Sequence, residues 1–206
     1  MTLTKHRRSA RAKRKAGIEA IDVVRQRLQG AVRFNARNAK IVFNIGLYLL
    51  LLDQDLAYFT DDLVYAIGDR KRAFLAKYEA ILLYEAAEDL PQLLGREFRD
   101  AVKALGASAE QLGRLNSVSS ELSRFWQTHR EFLGTIRNAL GAHRDHDTLR
   151  YSDTLNTLKP LAVMTRAAEL SQLLRQLVGV VTELVALTAN PAVIAQDMLG
   201  SRKPSG

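Results

Sequence analysis

LSRFWQTHREFLGTIRNALGAH, residues 122–143, is the stretch on which the fold turns. Leu122, Phe125, His129, Phe132, Ile136, Leu140 and His143 recur at steps of three and four, which winds them onto one side of a helix. That helix is expected from about 109 to 143. Just upstream, Gly106-Ala107-Ser108 reads as a turn, and Ser108 with Gln111 has the spacing of a capping box.

Working outward, the same period returns on both sides. Residues 17–29 make a short amphipathic helix, 37–59 a longer one rich in leucine, and 71–88 a third that kinks or restarts at Pro91 and runs on to Leu105. Beyond the central stretch, 144–159 (RDHDTLRYSDTLNTLK) is polar and reads as a loop, 160–187 as a strongly apolar helix, and 191–199 as a last turn. Each of the four prolines stands where a helix can begin or the chain can end, and no run alternates with period two beside a hairpin signal. The expectation is an all-α fold, an antiparallel bundle of four to five long helices at 17–199, with a basic, disordered N-terminal arm at 1–16 and a polar tail at 200–206.

With 47% apolar and 25% charged residues the chain has the balance of a water-soluble globular domain. It has no cysteine, which excludes disulfides, iron–sulfur clusters, thiolate zinc sites and a cysteine nucleophile. The longest apolar run, Ile41 to Leu52, is 12 residues long and holds Asn44 and Gly46; crossing a bilayer takes about 20, so it reads as a core helix. It also begins too late for an export signal, and a cytoplasmic protein without membrane contact is expected.

Charge is segregated. Residues 1–40 hold 12 Lys and Arg against Glu19 and Asp22, net +10, whereas 41–206 hold 18 against 20, net −2. Lys5, Arg7, Arg8, Arg11, Lys13, Arg14 and Lys15 form a block without an acid, whose natural counterpart is a polyanion such as RNA or another nucleic acid. The plain alternative is a solubility tail.

The chemistry-bearing cluster is IRNALGAHRDHD, residues 136–147. Arg137, Asn138 and His143 together can hold a phosphate, orient a hydroxyl and move a proton. On a straight helix residues six apart diverge by about 120°, so Arg137 and His143 converge only if the helix unwinds near Gly141 or if two chains share the site. Arg130, Arg137 and Arg144 recur every seventh residue, either as a phosphate-binding ridge or as a solvated, ion-paired face. Glu79, Glu85, Glu88 and Asp89 read as an acidic face on the third helix, one of whose carboxylates could pair with Arg137.

On Arg137-Asn138 and His143 the sequence resembles the HEPN superfamily, whose signature is arginine, a polar companion, and histidine after four to six residues. The resemblance covers about 38–190 in architecture and this one motif in residues. It implies a metal-independent endoribonuclease, with no cofactor, whose catalytic Arg137, Asn138 and His143 sit at a homodimer interface, and an antitoxin or defence partner; members that have lost activity make a non-catalytic nucleic-acid- or protein-binding module the alternative. Arg124 and His129 repeat the spacing, but Phe125 follows the arginine and His129 lies mid-stripe, so His129 reads as a packed core residue. A third reading takes His143, Asp145, His146 and Asp147 as metal ligands. The His146-Asp147 doublet resembles that of HD-type phosphohydrolases, yet the histidine and aspartate that family places far from the doublet would fall on His129 and on Asp197 in the tail. The His143-Arg144-Asp145 triplet of a kinase loop comes without a glycine loop.

Overall fold

Helix begins almost as soon as the chain does. The computed structural model describes residues 3–140 and 148–200, with the side chains of 3–11, 13 and 150 left aside. Every element in it is helical: α1 (Leu3–Arg33), α2 (Arg37–Tyr65), α3 (Asp69–Leu93), α4 (Arg96–Ala104), α5 (Ala109–Leu140), α6 (Thr148–Thr157), α7 (Pro160–Leu187) and α8 (Pro191–Gly200). The chain divides into two compact units, Met1–Gln54 with Gly95–Leu115 and Leu177–Gly206, and Asp55–Leu94 with Asn116–Gln176. Helices α2, α5 and α7 each contribute one part to each unit.

Four differences from the sequence reading have physical causes. The helix expected at 17–29 is continuous with the basic segment, because α1 starts at Leu3 and its Lys, Arg and Ala residues are good helix formers. The segment expected as loop contains α6: Tyr151, Thr154, Leu155 and Leu158 are half-buried at helical spacing, and the stripe is hard to see because one member is a threonine. Asp197 lies within α8, which is a full helix of ten residues, and is buried. Glu79 is fully buried, so it is no part of an acidic surface; Glu85, Glu88 and Asp89 remain exposed. Pro91 is tolerated in the last turn of α3, which stops at Leu93, and the chain restarts as α4 after Gly95.

Unit 1 is organised by its helix ends. Helix α1 closes with Asn35 at φ 55°, the Ala36 N–H donating to Ala31 O (2.9 Å) and the Asn35 N–H to Val32 O (3.2 Å), a Schellman closure with asparagine in the left-handed position. Helix α4 closes in the same way on Gly106 at φ 89°, with Ala107 N–H to Val102 O (3.0 Å) and Gly106 N–H to Lys103 O (3.0 Å). The expected capping box then opens α5: Ser108 N–H donates to Gln111 Oε1 (2.9 Å) and Gln111 N–H to Ser108 Oγ (3.2 Å). Ala36, which precedes α2, has no capping oxygen. Asp197 supplies one from α8, accepting from Asn38 N–H (3.2 Å), Ala39 N–H (3.0 Å) and Asn38 Nδ2 (2.8 Å). Behind this clamp Ala31, Ala36, Ala39 and Phe43 are buried against Val24, Leu28, Val185, Ile194 and Met198. At Gly46 α2 comes close to α1 and α7, since a Cβ there would meet Val181, Val24 and Val185 at 3.5–3.9 Å.

Unit 2 buries the central stretch quoted above. Leu122, Phe125, Ile136 and Leu140 are buried as the period requires, and Leu133 joins them. Each fully buried leucine is worth about 1.5–3 kcal/mol. Helices α2 and α7 are long and apolar enough to cross a membrane by length and composition alone. In α2 the apolar run resolves into a buried stripe, Val42, Ile45, Leu49 and Leu52, which Leu56 continues beyond the run, with Asn44 and Leu51 exposed.

Candidate functional site

Arg137 and Asn138 occupy the last turn of α5, both exposed. The Arg137 guanidinium lies over the Tyr84 ring of α3, its carbon 5.5 Å from the centroid, and its Nη1 donates to Asn138 Oδ1 at 3.5 Å. Tyr84 is set for this by two other residues of α5. Trp126 meets it edge to face at 5.0 Å, and Gly134 leaves it room, since a Cβ there would stand 3.3 Å from Tyr84 Cε2. Trp126, Gly134 and Arg137 share one side of α5, so a single ring of α3 orients the arginine.

A guanidinium held by its face on an aromatic keeps its N–H edge available to an anion. Neither Arg130 nor Arg137 has a carboxylate partner among the described residues, and the pairing expected between Arg137 and the Glu79 cluster is not found there. Glu79 instead accepts from Thr60 Oγ1 at 2.7 Å through Oε1, while its buried Oε2 has no partner. Burial pushes the Glu79 carboxyl above its ordinary range, and the Thr60 hydrogen bond opposes that only in part. His143, Arg144, Asp145, His146 and Asp147, together with Gly141, lie outside the described residues.

His129 is packed, as its place in the stripe implies, and it is also partnered. Its side chain is 13% exposed, the ring meets Phe125 edge to face at 4.6 Å, and Nε2 lies 3.0 Å from Glu169 Oε2 of α7. Arg124, the other half of the repeated spacing, is exposed. Among the described residues no three His, Asp or Glu side chains converge to hold a metal.

Of the basic block, Lys5, Arg7, Arg8, Arg11 and Lys13 have their backbone in α1 and their side chains outside the description; Arg14 is half-buried, and Lys15 is exposed 3.9 Å from Glu19.

Two polar placements escaped the sequence. Asp197 caps a helix 159 positions away, and its partners are backbone amides that no side-chain pattern can announce. Lys77 of α3, 7% exposed, lies 4.8 Å from the Tyr78 ring centroid and 5.2 Å from that of Tyr151, with Nζ 3.4 Å from the Tyr151 hydroxyl. This clamp helps fasten α6 to α3. Comparison with protein-family models, curated proteins and solved structures gives no match for this chain.

Proposed function

We propose that the chain is a cytoplasmic, HEPN-like, RNA-directed protein, an antiparallel bundle of four to five long helices that cuts RNA without a metal at a homodimer site made by Arg137, Asn138 and His143. One observation carries the reading. Arg137 is exposed, oriented on Tyr84 and unclaimed by any carboxylate among the described residues, with Asn138 beside it and His143 six positions on.

His143 moves the proton of the ribose 2′-hydroxyl or of the leaving oxygen, and Arg137 meets the charge that grows on the phosphate. Such a site needs no cofactor and acts only where a 2′-hydroxyl is present. The partner implied by the resemblance is an antitoxin or defence protein. The basic block and Arg130 favour a second reading, in which a non-catalytic module binds nucleic acid.

The test is cleavage of structured and unstructured RNA in excess EDTA by wild type and His143→Ala. Wild type is expected to leave 2′,3′-cyclic phosphate ends and to spare DNA; His143→Ala is expected to be inactive. Mixing Arg137→Ala with His143→Ala should restore part of the activity if two chains share the site. Absence of cleavage by wild type on every RNA would favour the non-catalytic module, and cleavage lost only on chelation would favour a metal site at His143, Asp145, His146 and Asp147.

A further inference from the structure

The turn between α1 and α2 presents an aromatic ring to solvent for a structural reason. Ala31 and Ala36, the two ends of the outer Schellman hydrogen bond, are both buried in the unit 1 cluster, and the four residues between them are all exposed. One of the four is Phe34, 55% exposed, with the Arg33 guanidinium carbon 5.7 Å from its ring centroid. The next residue, Asn35, lines a groove of about 1040 Å³ whose walls also include Arg37, Lys40, Arg96 and Gln196.

Charge in the groove decides what fits it. Three acids also line it, and two are already engaged: Asp197 caps α2, and Asp100 Oδ2 lies 3.5 Å from Arg96 Nε. Arg37 and Lys40 then stand against Glu97 alone, and Arg33 adds a cation at the Phe34 ring. The amides that open α2 are not the attraction, because the Asp197 carboxylate already fills that place. What remains is an exposed ring with cations one, three and six residues away and side-chain amides at the wall. A lone exposed phenylalanine is ordinary, but a solvent-facing ring next to a groove that carries cations is how single strands are held, by stacking a base and tracking its phosphates. A duplex hides its base faces and an acidic peptide has none, so neither would use Phe34.

We propose that the α1–α2 turn and this groove bind single-stranded nucleic acid, one base stacking on Phe34 and the flanking phosphates meeting Arg37 and Lys40. This rests on the reading of the chain as nucleic-acid-directed, and it adds a surface that does not include Arg137.

Binding of labelled dT12 and dA12, which lack the 2′-hydroxyl and so are not cut, tests it separately from cleavage. The full chain is compared with Phe34→Ala, Phe34→Tyr and Arg37→Gln/Lys40→Gln by fluorescence anisotropy, with a 12-base-pair duplex as reference and circular dichroism as the folding control. Phe34→Ala should weaken single-strand binding by about 10- to 100-fold and leave duplex binding within about twofold, Phe34→Tyr should restore it, and the double variant should flatten the salt dependence by about one to two contacts. Unchanged single-strand affinity in Phe34→Ala, or an equal loss on single strand and duplex, would overturn the groove. If affinity is also lost on deleting residues 1–16, binding belongs to the basic block and the wider reading survives; a wild type that binds no single strand at all overturns both.

Discussion

The two units draw on the same three long helices and differ in charge and in how each treats a buried carboxylate. Unit 1 holds 18 Lys and Arg against 8 Asp and Glu, net +10; unit 2 holds 12 against 14, net −2. Asp197 in unit 1 is 7% exposed and meets three N–H donors, whereas Glu79 in unit 2 is 0% exposed and meets one hydroxyl. A buried carboxylate given enough donors is a cap that holds two helices, and one given too few is a group that resists ionisation. The proposed division follows the same line: unit 1 gathers cations for a polyanion, and unit 2 carries the arginine proposed for chemistry.

The largest effect expected from breaking this contrast is on binding. Replacing Lys5, Arg7, Arg8 and Arg11 by glutamine keeps good helix formers in α1 and removes four charges. Affinity for RNA at about 50 mM salt should fall by on the order of 10²- to 10³-fold, and the slope of log affinity against log salt should drop by about 3. An unchanged slope in a salt titration would make the block a solubility segment.

Next in size is the cap. Asp197→Ala leaves the α2 amides of Asn38 and Ala39 without their acceptor and should cost about 2–3 kcal/mol, from the loss of hydrogen bonds to a charged group. Chemical denaturation would register this as a lower midpoint, and Asp197→Asn, which keeps one acceptor oxygen, should fall between. An Asp197→Ala midpoint equal to wild type would mean that water caps α2 as well as Asp197 does.

The smallest expected effect has the opposite sign. Because the folded-state Glu79 carboxyl titrates above the unfolded one, the native state holds the extra proton between the two values. Stability is therefore greatest below the unfolded value and declines as pH rises toward the folded one. Glu79→Gln keeps an acceptor for Thr60 and removes the charge, so it should be more stable than wild type at pH 7 and should lose that advantage below about pH 4.5. A variant less stable at pH 7 would show that the ionised carboxylate is better solvated than its burial implies.

Much of the helix layout was legible because it depends on local signals. The bounds of α7 match the expected 160–187, and the Ser108–Gln111 box forms both of its hydrogen bonds. Local rules misled where a stripe was only half-buried, as in α6; the basic segment expected as a disordered arm has its backbone in α1 from Leu3. At the candidate site, spacing together with the polar residue after the arginine singles out Arg137 and Asn138, but it says nothing of Tyr84, whose approach depends on the absent side chain at Gly134. Nor could it tell Glu79 from Glu85, Glu88 and Asp89, since a carboxylate carries no mark of burial until the helix facing it is known.

The most direct test of the division between binding and chemistry is the single-turnover cleavage rate of Arg137→Ala on saturating RNA in excess EDTA, read beside its RNA affinity in the same buffer. The account predicts a rate lower by on the order of 10²- to 10³-fold, as for the loss of one oxyanion contact, with affinity held within about threefold by the cations of unit 1. A rate equal to wild type with RNA bound would contradict it.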